Sequence, residues 1–191
     1  MTIHIPDDKL SVMPATTTAH LTMNYFPYNS DLAKAIAAEF IRLEGGYMNK
    51  MKLIKLMYLL DRTAIVEEGY AVIGGKYVSM KYGPVVSPLL NDLNESKWAG
   101  FHLNNDKHYV SITDEAQQTD LISEWVHELI QRIYEQFGNM NQWDLSEYTH
   151  ANCPEWIDPG TSRTPIDIRT IAGENAPEVN AFAQELTALN R

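Results

Sequence analysis

The sequence predicts an α+β fold that is predominantly helical, with about six helices around a central buried helix and a small three-stranded antiparallel sheet. Three observations lead to this prediction. Residues 50–68 are apolar around almost the whole helical wheel, residues 76–82 alternate like a strand, and residues 101–112 hold two alternating runs around a polar turn. The 191 residues, of which 45% are hydrophobic, suffice for one domain with a sizeable core.

The first predicted helix begins at Ser30, whose hydroxyl can cap it, and ends near Leu43, before a Gly-Gly pair. The central helix follows over residues 50–68. Because its apolar residues leave almost no polar arc, we expect the rest of the chain to enclose it. Gly69 is expected to end this helix, since glycine readily takes a positive φ.

A short strand is predicted over residues 76–82, where aromatic and β-branched residues alternate, and Gly83-Pro84 is expected to end it. The capping hydroxyl of Ser87 then precedes a helix over residues 88–95. Residues 101–112 predict a β-hairpin around a polar four-residue turn. This hairpin and the preceding strand form the predicted three-stranded antiparallel sheet.

Three further helices are predicted in the second half of the chain. Residues 121–137 keep an apolar spacing of three and four residues, and residues 141–150 form a shorter helix. Three prolines then mark an irregular crossing. The last helix opens at Asn175, which is followed by Glu178 three residues later, as in a capping box.

The chain divides into three predicted parts. Residues 1–29 mix prolines and threonines without a sustained period, which indicates a flexible or loosely docked N-terminal arm. Residues 30–160 contain most of the predicted elements and form the domain. Residues 161–191 are expected to be a C-terminal extension that contains a docking helix.

The net charge of −10 disfavours a nucleic-acid surface as the main function of this domain, because phosphate binding depends on clustered Lys and Arg. An acidic chain suits a more basic partner. The lone Cys153 excludes an internal disulfide and fits a reducing compartment. No signal peptide and no apolar run of about 18 to 20 residues is evident, so we expect a cytoplasmic protein without membrane contact.

Candidate catalytic and metal-binding groups are few. His150 and Cys153 lie three residues apart, but no second pair of ligands has zinc-finger spacing, so no metal site is predicted. A Cys153–His150 catalytic couple would need a third, orienting group that the sequence does not supply. Because no Gly-rich phosphate loop, acid pair or triad spacing occurs either, we predict neither enzyme activity nor a cofactor.

Asp61 interrupts the apolar surface of the central helix, and a buried carboxylate must be paired or hydrogen-bonded. One interpretation is a structural ion pair with Arg62, Lys81 or another base. The other is that Asp61, with Arg62 beside it, holds the turn at residues 81–84 in shape, so that the turn presents a fixed surface.

Two groups of residues are candidates for binding a partner protein. The first is a basic and aromatic patch around the Gly-Pro turn, where rigid tyrosines could act as interaction hot spots; it consists of Lys76, Lys81, Tyr82, Gly83, Pro84 and Val85. The second is His150 with Trp156, which bracket a proline-containing loop. For both groups, ordinary turn formation and core packing are the alternative interpretation.

Three stretches together resemble one known family. They are KLIKLMYLLDR at residues 52–62, GGKYVSMKYGPVVSPLL at residues 74–90, and LSEYTHANCPEW at residues 145–156. This order resembles the Panacea domain, also called the SocA-like antitoxin domain, which occurs in bacterial and prophage toxin-antitoxin pairs. The resemblance covers about residues 30–160, so that this part of the chain would be the antitoxin domain.

The resemblance implies an antitoxin that neutralises a cognate toxin, encoded in the same operon, by direct protein-protein binding. It also implies that the two candidate groups bind this toxin. A related alternative is a proteolytic adaptor that delivers the toxin to a protease. An alternative of another class is a small hydrolase or nucleotide-binding enzyme that uses His150 and Asp61. The toxin, its target, the stoichiometry and the formation of homo-oligomers stay open.

Overall fold

The computed structural model describes residues 25–116 and 119–189, so most of the predicted N-terminal arm lies outside the described residues. The described part contains seven α-helices and six strands, joined by turns and three short 3-10 helices. In chain order the elements are α1 (Ser30–Leu43), β1 (Tyr47–Asn49), α2 (Lys50–Glu68), β2 (Tyr77–Met80), β3 (Gly83–Val86), α3 (Ser87–Asn94), β4 (Phe101–Leu103), β5 (Tyr109–Ile112), α4 (Glu124–Phe137), α5 (Gln142–Asn152), β6 (Thr164–Ile166), α6 (Ile168–Ala172) and α7 (Ala176–Leu189). The predicted α+β, predominantly helical fold class is confirmed.

The helix α2 lies at the centre of the core, as its sequence predicts. It packs against α1, α4, α5, α6 and β3. Its fully buried side chains include Leu53, Leu56, Met57 and Leu60, and burying each contributes about 1.5 to 3 kcal/mol. The side chain of Asn49 caps the first turn, and Gly69 ends the helix with a φ of +80°.

The predicted composition of the sheet is wrong, because the strands form two three-stranded antiparallel sheets. The hairpin β4–β5 does not pair with β2. Instead β5 pairs with β1, which gives the order β1-β5-β4, while β2 lies between β3 and β6. Both edges of β2 are therefore occupied by other strands, and no edge remains for the hairpin.

The predicted end of the strand at Gly83-Pro84 is also wrong. The chain turns at Lys81 and Tyr82 and returns immediately as β3, which places Met80 opposite Gly83 and Ser79 opposite Pro84. A proline is tolerated here because β3 is an edge strand, where a missing N–H removes no ladder hydrogen bond on the open side. The result is a second β-hairpin, β2–β3.

The C-terminal part packs onto the body. The strand β6 pairs with β2, and α6 packs against α2. In α7 the side chains of Val179 and Ala183 are buried, and the ring of Phe182 lies 6.2 Å from that of Phe26. The three-part division of the chain stays a prediction, but the predicted extension supplies a strand to a sheet of the domain. Within the described ranges, no helix combines the length and apolar character needed to cross a bilayer.

Candidate functional site

The turn of the hairpin β2–β3 carries two exposed residues of the predicted patch, Lys81 and Tyr82. Tyr82 is 45% exposed, and Nζ of Lys81 lies 5.3 Å from the centroid of its ring. Gly83, Pro84 and Val85 are buried. The predicted role of these three residues in binding stays a prediction. Because they are buried, they shape the hairpin and offer no side-chain surface to a partner.

Lys76 does not join this patch. It precedes β2 whereas Lys81 follows it, so the four residues of the strand separate the two lysines. Nζ of Lys76 lies 5.2 Å from the ring of Tyr25, near the beginning of the described chain. The length of β2 therefore lies between Lys76 and the turn, since a strand extends the chain by about 3.3 Å per residue. The predicted role of Lys76 in binding stays a prediction.

Lys55 supports the hairpin from inside the protein. Only 1% of its surface is exposed, and its Nζ donates a hydrogen bond of 2.8 Å to the carbonyl oxygen of Pro84. Burial lowers the pKa of this amine to about 7, because the charged form is poorly solvated there. Lys55 was not predicted as a site residue, although a lysine within a helix that is apolar on almost all sides was an available signal.

The close approach of Lys55 explains why residue 83 is a glycine. Its φ is +99°, which side chains rarely tolerate. A Cβ at this position would lie 2.5 Å from Oγ1 of Thr149 and 2.8 Å from Nζ of Lys55. Gly83 therefore lets the hairpin backbone contact α2 and α5 directly.

The helix α5 holds the tip of the hairpin from the side. Oγ of Ser146 donates a hydrogen bond of 3.1 Å to the carbonyl oxygen of Tyr82. Trp143, one turn earlier, makes an edge contact with the Tyr82 ring at 5.5 Å between centroids. Trp143 is 53% exposed. It was not predicted as a site residue, because about 60 residues separate it from the hairpin.

His150 and Trp156 lie behind the turn, where their partly buried rings stack with 3.8 Å between centroids. Nε1 of Trp156 donates a hydrogen bond of 3.0 Å to the carbonyl oxygen of Met80. The pKa of His150 is lowered, because burial and the nearby charge of Lys55 disfavour the imidazolium. The structure thus brings the second predicted group next to the hairpin.

Asp61 does not support the turn at residues 81–84, and it forms no ion pair with Arg62 or Lys81. Its carboxylate is fully buried and accepts four hydrogen bonds of 2.7 to 3.0 Å. Three donors are the backbone N–H groups of Val72, Ile73 and Gly74, in the segment before β2, and the fourth is the hydroxyl of Tyr77, the first residue of β2. Burial raises the pKa of Asp61 to about 6, although these hydrogen bonds favour the carboxylate. Both predicted roles of Asp61, the ion pair and the support of the turn, are therefore wrong. Asp61 instead accepts from the buried donors near β2, which need an acceptor.

Arg62 also has a different role from the predicted one. Its Nε donates a hydrogen bond of 2.7 Å to Oε1 of Glu155, a buried carboxylate that also accepts from the hydroxyl of Tyr58. Because Glu155 precedes Trp156, this ion pair fixes the loop that carries the tryptophan rather than the turn at residues 81–84.

A groove opens beside Tyr82 and was not predicted. It has a volume of about 430 Å³ and is lined by Asn49, Lys50, Met51, Tyr82, His108, Tyr109, Gln142 and Trp143. A second hollow of about 440 Å³ adjoins it and shares Asn49, Tyr109 and Gln142. The two together are called the aromatic groove below. Its residues come from four separate parts of the chain, so no local sequence pattern could reveal it.

The groups considered for catalysis are poorly placed for chemistry. Cys153 is 1% exposed, and burial raises the pKa of its thiol to about 12, which keeps it protonated. Asp61 is fully enclosed by its own hydrogen-bond donors and is out of reach of a substrate. In the part of the chain that the structure describes, no group of three or more His, Cys, Asp or Glu side chains could hold a metal ion.

Comparison with known proteins gives one match. The family described as antitoxin SocA-like, Panacea domain, matches residues 53–157, which is more than half of the chain. No curated protein and no solved structure matches. The matched range contains Lys55, the whole hairpin β2–β3, α5 and Trp156, which are the residues that meet at the candidate site.

Proposed function

Because the chain belongs to the SocA-like, Panacea-domain antitoxin family, we propose that it is an antitoxin that neutralises a toxin encoded in the same operon by binding it directly. It acts in the cytoplasm, where both products of such an operon are made. We also propose that the pair is encoded by a bacterium or a prophage, as the resemblance to the family implies.

One observation carries the proposal beyond family membership. Three side chains hold alternate carbonyl oxygens of the hairpin: Trp156 binds that of Met80, Ser146 that of Tyr82, and Lys55 that of Pro84. All three side chains lie in the stretches by which the family is recognised. Since these bonds go to the backbone, the shape of the hairpin is independent of the side chains that it presents.

A hairpin fixed in this way is suited to protein recognition. Binding costs less entropy when the contact residues are ordered in advance. Tyr82 offers a large amphipathic ring with few rotatable bonds, and Lys81 lies over it, which is typical of an interaction hot spot. The partner-binding surface that we propose therefore comprises Lys81 and Tyr82, supported by Gly83, Pro84, Val85, His150 and Trp156.

The charge of the chain supports a protein partner over a nucleic acid. A net charge of −10 repels phosphate and attracts a partner that is basic overall. Direct binding covers the active surface of the toxin, whereas the adaptor alternative would remove the toxin by proteolysis. The two differ in their need for a protease.

Co-expression tests the proposal. The neighbouring gene is expressed from an inducible promoter, with and without this protein, in a normal host and in one that lacks the ATP-dependent proteases. We expect the neighbouring product to stop growth and this protein to restore it in both hosts. Rescue that is lost in the protease-deficient host would favour the adaptor, and a harmless neighbour would contradict the toxin-antitoxin assignment.

A further inference from the structure

The aromatic groove is bordered by two pairs of exposed rings. Tyr82 makes an edge contact with Trp143, and Tyr47 stacks on Tyr109 with 4.8 Å between centroids. Each of the four rings is between 36% and 53% exposed. A soluble protein seldom exposes so much contiguous aromatic surface without a binding function.

The rings are held in place before any partner arrives. Trp143 lies in the first turn of α5, which the capping box of Asn141 and Asp144 fixes. Tyr109 lies opposite Asn49 in the pairing of β1 with β5, and Tyr82 is anchored through its backbone by α5. This order lowers the entropic cost of binding.

Three lysines accompany the aromatic rings. Lys50 lines the groove, Lys81 precedes Tyr82, and Lys107 precedes His108, which also lines the groove. The pKa of Lys50 is lowered, first by burial and then by the charge of Lys107. Among the described residues, none of these lysines forms an ion pair with a carboxylate; Nζ of Lys50 instead donates to Oδ1 of Asn94.

Two carboxylates beside the groove are already engaged. Glu44 accepts hydrogen bonds from Lys52 and from the hydroxyl of Tyr134, and Asp144 accepts from Asn141 in the cap of α5. The positive charge of the three lysines is therefore left for a partner, in a chain whose net charge is −10.

We propose that the aromatic groove binds an extended segment of the partner protein in which a large apolar side chain is flanked by Asp or Glu. The apolar side chain packs between the Tyr82–Trp143 pair and Tyr109, and the carboxylates pair with the lysines. The chemistry of the segment follows from the groove, whereas its assignment to the toxin rests on the proposed function. A toxin that is basic overall can carry such an acidic segment.

A single-stranded nucleic acid fits the groove less well. Bases would need free aromatic faces, but Tyr109 covers one face of Tyr47 and Lys81 lies over the ring of Tyr82. Three lysines also neutralise few phosphates, so that counterion release would contribute little affinity against the net negative charge.

Peptide selection tests the chemistry without knowledge of the toxin. Random dodecapeptides on phage are selected on the full-length protein and on a Tyr109→Ala/Trp143→Ala variant of matched melting temperature. We expect the native protein to enrich peptides with an aromatic or large aliphatic residue beside Asp or Glu, and the variant to lose them. Enrichment of basic peptides, the same peptides from both proteins, or no enrichment would overturn the proposal.

Charge reversal provides a second test, which does not depend on the folding of the double variant. The best peptide is titrated by fluorescence anisotropy, and we expect Lys107→Glu to weaken its binding about tenfold. Arg163→Glu, which changes an exposed base outside the groove, should leave it unchanged. A fluorescent 20-nucleotide oligo(dT) that binds in place of the peptide would assign the groove to nucleic acid and overturn the proposal.

Titration with the purified product of the neighbouring gene separates this inference from the proposed function. We expect Tyr109→Ala/Trp143→Ala to weaken that binding about 30-fold or more. Tyr70→Ala is the matched control, since Tyr70 is also 36% exposed and contacts another ring, that of Trp125. If the native protein binds acidic peptides but not the neighbouring product, the antitoxin assignment fails and the groove chemistry stands. Equal binding of the toxin by the native protein and by the double variant would leave the antitoxin assignment intact and would refute the binding of the toxin in the groove.

Discussion

Asp61 accepts hydrogen bonds from four donors of the segment that leads into β2. Its two oxygens each accept two of these bonds, so the carboxylate has no spare capacity facing the loop. This arrangement makes Asp61 a structural residue that shapes the approach to the hairpin, although it lies far along the chain from the turn itself.

Asp61→Asn should therefore lower the free energy of unfolding by about 2 to 4 kcal/mol, measured by urea denaturation. The side-chain NH₂ group of asparagine would replace a carboxylate oxygen that accepts two hydrogen bonds. Because an NH₂ group only donates, two buried donors would lose their acceptor. Glu68→Gln is the control on the same helix, because Glu68 is exposed and its change should stay within about 0.5 kcal/mol. Equal effects of the two substitutions would show that the Asp61 contacts contribute little.

Lys55 makes stability depend on pH. Its pKa in the folded protein, about 7, lies below the ordinary value of 10.5, so folding disfavours its charged form. Below pH 7 Lys55 is protonated in both the folded and the unfolded state, and the full destabilisation is present. As the pH rises above 7, the folded state releases its proton first and the destabilisation declines. It disappears above the ordinary pKa of 10.5, where the unfolded state also loses its proton.

Compared with Lys55→Met, the native protein should gain about 2 kcal/mol in the free energy of unfolding between pH 7 and pH 9. The methionine has a similar shape and does not titrate, so contributions from all other groups cancel in the difference between the two proteins. Urea denaturation of both proteins at pH 6, 7, 8 and 9 measures this difference in the free energy of unfolding. Parallel pH profiles would mean that Lys55 keeps an ordinary pKa.

At the scale of elements, the hairpin β2–β3 depends on contact with α2 and α5 more than on its own turn. Gly83 is the test, since a Cβ there would strike Lys55 and Thr149. Gly46 has a similar φ, +91° compared with +99°, but nothing lies within 4 Å of its Cβ position. The two glycines thus share the backbone strain and differ in packing.

Gly83→Ala should lower the free energy of unfolding by about 2 to 4 kcal/mol, and Gly46→Ala by only about 1 kcal/mol. The difference measures the close packing of the hairpin on Lys55 and Thr149. Thermal unfolding followed by circular dichroism gives both values. If the two variants lose the same stability, strain at positive φ accounts for the whole effect and the packing is loose.

The ranges of the helices were predicted well from the sequence because their signals are local. The predicted caps of α1 and α3 were wrong, since Asn29 rather than Ser30 caps α1 and no side chain caps α3 at Ser87. The predicted ranges 30–43 and 50–68 agree with α1 and α2, since apolar periodicity and a terminal glycine act within a few residues. The sheets were predicted less well. The strand β1 has three residues and pairs with β5, about 60 residues later, and no local pattern specifies such a partner.

The candidate site follows the same rule. Tyr82, His150 and Trp156 were found from the sequence through the family resemblance, and the structure brings them to one hairpin. Lys55 and Trp143 were missed because their roles depend on contacts with residues distant in the chain. Asp61 was singled out correctly as a buried carboxylate, but three of its four donors are backbone N–H groups, which every sequence has.

At the scale of the whole molecule, the folding unit is longer than the family match. The match covers residues 53–157, yet both sheets are completed by strands outside it, β1 and β6. The helix α1 also lies outside, and its Ile36 and Phe40 are fully buried in the core. The matched region therefore needs α1, β1 and β6 to cover its core and complete its sheets.

A fragment of residues 53–157 should not fold cooperatively, whereas the full chain should unfold in one cooperative transition. The fragment lacks α1 and leaves one edge of β2 open, which exposes core surface and an unpaired strand edge. Differential scanning calorimetry distinguishes the two results. A cooperative transition of the short fragment would mean that the flanking elements are dispensable for folding.

The central proposal, that this protein binds a cognate toxin through the hairpin β2–β3, is tested most directly by isothermal titration calorimetry with the purified product of the neighbouring gene. We expect stoichiometric binding by the native protein and binding at least tenfold weaker by Tyr82→Ala of unchanged melting temperature. Tyr70→Ala should bind like the native protein. Equal affinity of Tyr82→Ala and the native protein would contradict the hairpin site, and the absence of binding by the native protein would contradict the antitoxin assignment itself.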